Sequence, residues 1–211
     1  MATERREADF YPTPPCAVEA LRLWFVQKFG AAPLQERWLD PAAGAGSLLH
    51  WFGVPHARRY ALEFREGPKV EADLARFVAS ARTVTGVNSL EVSWGHVTNV
   101  IANPPFTMLT PFMERMDREQ ATRGGFTISM TPTQWWQAQS RKHIRRPHYF
   151  LPLCWRPSFM GAGGAQYDVA WTVWAPEAPA ATETTWLTQP DMPRKGPNRH
   201  PAWDVFQELQ P

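Results

Sequence analysis

Three stretches of this chain bring together side chains that could do chemistry. In Val100-Ile101-Ala102-Asn103-Pro104-Pro105-Phe106, three apolar residues run into an amide, two prolines and an aromatic ring. Prolines lack an N–H donor and fix their own φ, so a central strand cannot continue through Pro104 and Pro105, and their carbonyls are held in set directions. Asn103 supplies an acceptor oxygen and an NH2 group, and Phe106 supplies a flat apolar face. Together these groups suit the gripping of a planar molecule that carries an amino group. A strand that ends in a proline turn is the plainer reading of the same residues.

The second stretch is Asp40-Pro41-Ala42-Ala43-Gly44-Ala45-Gly46, which follows Arg37-Trp38-Leu39 and precedes Ser47-Leu48-Leu49-His50-Trp51-Phe52. Strand, glycine loop and helix in that order make the first turn of a nucleotide-binding α/β unit. Gly44 and Gly46 let the backbone bend sharply and approach a ligand closely. The loop has no Gly-Lys-Ser/Thr for a triphosphate, and Asp40 would repel phosphates. An acid at that place suits a ligand with an ammonium or sulfonium group. The third stretch, Arg59 to Phe64, is strand-like and carries Glu63, 23 residues after Asp40. A carboxylate there can accept hydrogen bonds from both hydroxyls of a ribose; a surface glutamate at a strand end is the alternative.

These residues need elements to position them. Asp9-Phe10-Tyr11-Pro12-Thr13-Pro14-Pro15 leads into an apolar-periodic run ending near Gly30, which predicts a helix with Thr13 as N-cap and Pro14 as its first residue. The rigid aromatic-proline turn could equally close over a ligand. Amphipathic spacing predicts a helix over 68–80, and Thr83 to Val87 predicts a third strand with Asn88 at its end. The Val100 stretch is then the fourth strand. A helix over 109–118, a fifth strand over 125–130 and a short helix over 133–140 follow. Two aromatic strands, Tyr149 to Trp155 and Tyr167 to Trp174, are joined by a loop holding Gly161, Gly163 and Gly164 and predict an antiparallel hairpin. The expectation is an α/β fold with a mostly parallel seven-stranded sheet and a C-terminal hairpin over residues 1–175. A proline-rich extension follows over 176–211, with a last short helix at 202–209.

Composition narrows the class. The chain has 211 residues, 44% of them apolar, enough for one full core. It contains no apolar run of about 18 residues and no signal-like N-terminus, which points to a cytoplasmic protein without membrane partners. Cys16 and Cys154 stand far apart in no metal-ligand spacing, so no metal site is expected. Net charge is only +2, yet no acid occurs between Thr127 and Tyr167, where Arg141, Lys142, Arg145, Arg146 and Arg156 cluster near Trp135 and Trp136. That mixture suits phosphate contact and base stacking, although basic faces are commonly plain solvated surface.

In order and spacing, Tyr11-Pro12-Thr13-Pro14-Pro15, Asp40 to Gly46 and Asn103-Pro104-Pro105-Phe106 resemble the motifs of S-adenosylmethionine-dependent methyltransferases with a Rossmann-like class I fold. More narrowly they resemble the DNA N6-adenine methyltransferases in which the cofactor loop precedes the Asn-Pro-Pro-aromatic motif. The resemblance spans roughly residues 9 to 175. It implies S-adenosylmethionine as cofactor, DNA as partner, base flipping, and a bacterial or phage source. It places Tyr11, Thr13 and Pro14 at the methionine end of the cofactor, Asp40 and Ala42 to Gly46 on its amino acid part, Glu63 on its ribose and Phe64 beside its adenine. Asn103, Pro104, Pro105 and Phe106 become the catalytic motif. Trp135, Trp136, Arg141, Lys142, Arg145 and Arg146 are then expected to contact DNA. Two departures stand out. Asn88 occupies a position where this family usually has an aspartate for the cofactor adenine, which predicts weaker cofactor binding. The usual separate recognition region is also missing, which leaves room for a homodimer or a separate specificity partner. Relatives of the same fold that methylate a glutamine side chain or an rRNA base amine share the Asn-Pro-Pro-aromatic grip and remain an alternative, as does a catalytically silent relative that binds nucleic acid or a protein.

Overall fold

The computed structural model describes residues 11–159, 167–194 and 199–209; Asp9, Phe10, Gly161, Gly163 and Gly164 lie outside them. Among the described residues one sheet contains β1 (Trp38–Asp40), β2 (Arg59–Leu62), β3 (Thr83–Val84), β4 (Asn99–Ala102), β5 (Thr127–Pro132), β6 (Tyr149–Pro152), β7 (Val169–Trp174) and β8 (Glu183–Thr184). Their order is β3-β2-β1-β4-β5-β7-β6-β8. The pairs among β1 to β5 are parallel, and β7 runs antiparallel to both β5 and β6. The expected α/β architecture with a C-terminal hairpin is therefore present. It has eight strands where seven were expected, because Glu183–Thr184 adds a parallel edge to β6. Both residues of β8 are exposed and held through backbone bonds, Glu183 N–H to the His148 carbonyl at 2.9 Å and Thr185 N–H to Phe150 at 3.1 Å. Such a strand carries no apolar alternation.

Period-two alternation divides the core. Trp38, Ile101, Ile128, Trp171 and Val173 face one side, where helix α1 (Pro15–Phe29) and helix α2 (Ser47–Trp51) pack. Leu39, Val100, Ala102 and Trp174 face the other, under helix α4 (Leu109–Arg123). Helix α3 (Pro68–Ala75) covers Ala61 of β2. Phe25, Phe52 and Phe126 meet Trp38 edge-on or stacked, at centroid distances of 5.1 to 6.1 Å. Burying each such ring contributes about 1.5–3 kcal/mol, so the cluster anchors the short strand that ends in Asp40.

Helix α1 begins one residue later than the sequence predicts. Pro14 is the N-cap and its carbonyl accepts from Ala17 N–H at 3.0 Å and Val18 N–H at 3.3 Å; no side chain caps the helix. Pro15 tolerates the first helical position because an N–H there would lack a partner anyway. The Thr13 hydroxyl is thereby left for another role.

Residues beyond 175 pack onto this body. Helix α5 (Ala202–Glu208) buries Trp203 and Phe206 against Cys16 and Met192, and Leu209 joins Ala43, Ala45 and Leu74 beneath the glycine loop. The C-terminal segment thus supports both the start of α1 and the loop after β1.

Candidate functional site

The chain winds outward from β1 to β3 and then returns to β4 on the other side of β1, which makes the β1/β4 boundary a topological switch point. A cavity of about 540 Å³ opens there, along the carboxyl ends of the strands. Read along the sheet, the polar residues at its strand ends include Asn103 beyond β4, Asp40 ending β1, Glu63 beyond β2 and Asn88 beyond β3. With strands roughly 4.8 Å apart, the four cover about 14 Å.

Asp40 is buried and accepts the Ala42 N–H at 3.0 Å on Oδ1. Burial pushes its carboxyl up to about 8; the Ala42 bond opposes that shift and the charge of Glu63 adds to it. At neutral pH the carboxyl therefore holds a proton, and a cation entering the cavity favours releasing it. Glu63 is buried as well. Its Oε2 accepts the Gly44 N–H at 2.6 Å, and its Oε1 accepts both the backbone N–H and Nε of Arg65, at 2.9 and 2.8 Å. The carboxylate thus ties the glycine loop to the strand after it. Ala42 and Gly44 line the cavity, and Gly44 takes a φ of +57°. Gly46 does not line it: at φ +79° it caps α2, and a Cβ there would stand 3.1 Å from Leu74. Its role is close packing against α3.

Phe64 lines the cavity with two-thirds of its surface exposed, leaving a ring face open. Asn88 also lines it. Tyr11 and Thr13 close the opposite rim, while Pro14 is buried outside it. Asn103 donates from Nδ2 to the Tyr11 carbonyl at 3.4 Å. Pro105 lines the cavity, and its carbonyl accepts the Met108 N–H at 2.9 Å, whereas Pro104 is buried and does not line it. Phe106 lies to the side of the cavity, edge-on to Tyr167 at 5.5 Å and to Phe159 at 6.5 Å. Arg65, which sequence reasoning passed over, also lines the cavity. Its only sequence signal is a cation two positions past Glu63.

The tryptophans expected on a DNA face are instead in the core. Trp135 and Trp136 are 6% and 7% exposed, packed with Met113, Met116 and Trp174, and Trp136 Nε1 donates to Thr131 Oγ1 at 3.1 Å. They offer no surface to a base. Arg141 lies 4.4 Å over the Trp135 ring and bonds to the Trp135 carbonyl; Arg146 donates to the Trp136 carbonyl at 2.7 Å. Arg145 pairs with Asp117 at 2.6 Å. The acids that this stretch lacks in sequence come from α4, so the local positive charge is partly neutralised. Lys142 remains exposed.

Along the sheet edge the cavity thus offers a buried acid beside a glycine loop, a second carboxylate and an exposed aromatic ring. Among the described residues no group of three His, Cys, Asp or Glu side chains is placed to hold a metal ion, and no helix is long and apolar enough to cross a membrane.

No protein-family model matches the chain, and no curated protein matches it in sequence. Solved structures match in fold. The methyltransferase subunit of the type I restriction-modification system of Streptococcus thermophilus superposes with a TM-score of 0.56 at 13% identity, over 95% of this chain and 54% of that one. A candidate RNA methyltransferase from Pyrococcus horikoshii gives 0.55 at 14% identity, over 82% and 91%. The human methyltransferase 10 domain containing protein gives 0.50 at 15%, over 79% and 83%. This chain spans about half the length of the restriction-modification subunit, and at these identities the likeness is one of architecture: a Rossmann-like methyltransferase fold.

Proposed function

We propose that the cavity binds S-adenosylmethionine and that Asn103-Pro104-Pro105-Phe106 presents an amine for methylation, the preferred acceptor being the N6 amine of an adenine extruded from DNA. The observation that carries this reading is the order of groups along the sheet edge. Asn103, Asp40, Glu63 and Asn88 follow one another in one cavity, as an amine grip, a cation site, a hydroxyl acceptor and a base-side amide.

S-adenosylmethionine, when bound, supplies an electrophilic methyl group on a sulfonium. Asp40 and the Ala42 to Gly44 backbone would hold its amino acid end, Glu63 its ribose, and Phe64 its adenine. The chain's own task is to make the acceptor nitrogen nucleophilic, because the lone pair of an exocyclic amine is delocalised into its ring. With Nδ2 turned to the Tyr11 carbonyl, Asn103 has Oδ1 left to accept a hydrogen of the incoming amine. That bond favours a tetrahedral nitrogen whose lone pair points into the cavity, and it is strongest as positive charge develops; the Pro104 carbonyl, expected as a second acceptor, belongs to a buried residue that does not line the cavity. Phe106 supplies an apolar face for the base. No strong base is required, since the nitrogen becomes acidic only after alkylation.

The burial of Trp135 and Trp136 favours a second reading, in which the acceptor is a glutamine side chain that needs no wide stacking surface. Mass spectrometry of nucleosides from the DNA of expressing and control cells separates the two. Enrichment of N6-methyladenine is the expected result; its absence together with a methylated protein would support the second reading.

A further inference from the structure

The asparagine at the far end of the cavity is held by its neighbours in one orientation. Asn88 Nδ2 donates to Glu91 Oε1 at 2.7 Å, and Asn88 Oδ1 accepts the Leu90 N–H at 3.1 Å. Neither bond survives rotation of the amide by half a turn, because a carboxylate only accepts and a backbone N–H only donates. The loop itself is fixed. The Asn88 carbonyl accepts from Glu91 N–H at 2.9 Å, Ser89 O accepts Trp94 Nε1 at 2.7 Å, and Arg115 donates to Leu90 O and Val92 O at 2.7 and 2.8 Å. Val87 N–H bonds to the Glu63 carbonyl at 3.2 Å, which ties the loop to the residue that faces the neighbouring part of the cavity.

After these bonds the Asn88 amide retains one lone pair on oxygen and one N–H on nitrogen. An adenine edge presents the complement, an amino hydrogen beside a ring-nitrogen acceptor, and an amide can bind both at once. A 6-oxopurine presents the reverse pair on its Watson–Crick edge, a carbonyl beside an N–H, which fits only the rotated amide. An aspartate at this place could take the amino hydrogen alone.

We propose that Glu91 is a positioning residue that locks the Asn88 amide in the orientation that reads a 6-aminopurine and rejects a 6-oxopurine. The inference rests on the reading of the cavity as an S-adenosylmethionine site, with the base beside Phe64. It makes Asn88 a selective substitute for an acid, and it assigns a role to Glu91, which does not line the cavity. The side chain of Glu91 is exposed, so its replacement leaves the core intact.

The test is calorimetric binding of S-adenosylhomocysteine and of its 6-oxo counterpart, S-inosylhomocysteine, to the full chain and two variants, with melting curves recorded alongside. The wild type is expected to prefer the adenosyl compound about tenfold or more. Glu91→Ala releases the charged acceptor and reduces that preference by about fivefold or more, while Glu91→Gln, which still offers an acceptor, keeps it within about twofold. A purely structural role for Glu91 would weaken both compounds equally, and that result would overturn the proposal, as would an unchanged preference in Glu91→Ala. Binding of neither compound to the wild type would overturn the cofactor reading itself, and this inference with it.

Discussion

Asn103 donates a hydrogen bond to the backbone carbonyl of Tyr11, 92 positions away in the chain, at 3.4 Å. A carbonyl can only accept, so the bond turns the Asn103 nitrogen toward the N-terminal segment and leaves its oxygen for another donor. Tyr11 and Thr13 line the same cavity as Asp40 and Glu63. The turn after β4 and the N-terminal segment are therefore joined at the cavity.

Asn103→Ala removes the acceptor but none of the groups assigned to the cofactor. Turnover is expected to fall by about 10² or more while the dissociation constant for S-adenosylhomocysteine stays within a few-fold. Single-turnover kinetics paired with calorimetry measure both quantities; full activity in the variant would remove Asn103 from the mechanism.

Glu63→Ala should act on binding. Its carboxylate holds Gly44 N–H and Arg65 as well as facing the cavity, so its loss both removes a hydroxyl acceptor and loosens the glycine loop. Cofactor affinity is expected to weaken about tenfold or more. An unchanged dissociation constant would refute the ribose assignment.

Asp40 gives a dependence on pH whose sign is set. Its carboxyl is pushed up to about 8 in the folded chain, against about 3.9 when unfolded. Between those values the folded state binds more protons than the unfolded state, so this group's contribution to stability declines as pH rises from about 4 to about 8. Asp40→Asn removes that decline. Melting temperatures measured at pH 5 and pH 8.5 should fall further for the wild type than for the variant; parallel falls would contradict the burial argument. Cofactor binding should in turn tighten in the wild type as pH approaches 8, with proton release seen as a dependence of the calorimetric heat on buffer.

Phe206 tests the support given by the C-terminal segment. It is 1% exposed and packs with Trp203, Met192 and Cys16. Phe206→Ala is expected to cost about 3–5 kcal/mol in chemical denaturation. A change below 1 kcal/mol, on the scale of a surface substitution, would show that α5 is dispensable to the fold.

The basic segment should contribute to stability more than to DNA contact. Arg145 and Arg146 are engaged by Asp117 and by the Trp136 carbonyl. Replacing both with Ala should lower the melting temperature while changing the slope of DNA binding against salt by less than about one unit. A drop of about two units would return both arginines to the DNA face.

The cavity was legible in the sequence where local chemistry punctuates it. Asp40, Glu63 and Asn103 each stand where a short apolar strand meets glycine, charge or proline; that β4 returns beside β1 and sets the switch point there is visible only in the folded sheet. Trp135 and Trp136 were not legible in the same way. Their neighbours in sequence are polar and basic, and what turns them inward is packing against Met113 and Met116 of α4 and the bond to Thr131 Oγ1 of β5. Helix α4 likewise supplies Asp117 and Glu114 to a stretch that is acid-free on its own. β8 escaped notice because it pairs through backbone alone. The orientation of the Asn88 and Asn103 amides depends on partners that only the folded chain brings into place.

The most direct test of the account is methyl transfer in vitro. Purified chain is incubated with S-adenosylmethionine carrying a labelled methyl group and with unmethylated duplex DNA, and the DNA is then hydrolysed to nucleosides for mass spectrometry. The account predicts labelled N6-methyladenine with the wild type and about 10²-fold less with Asn103→Ala. Label that never enters DNA, or that enters it equally in both proteins, would contradict it.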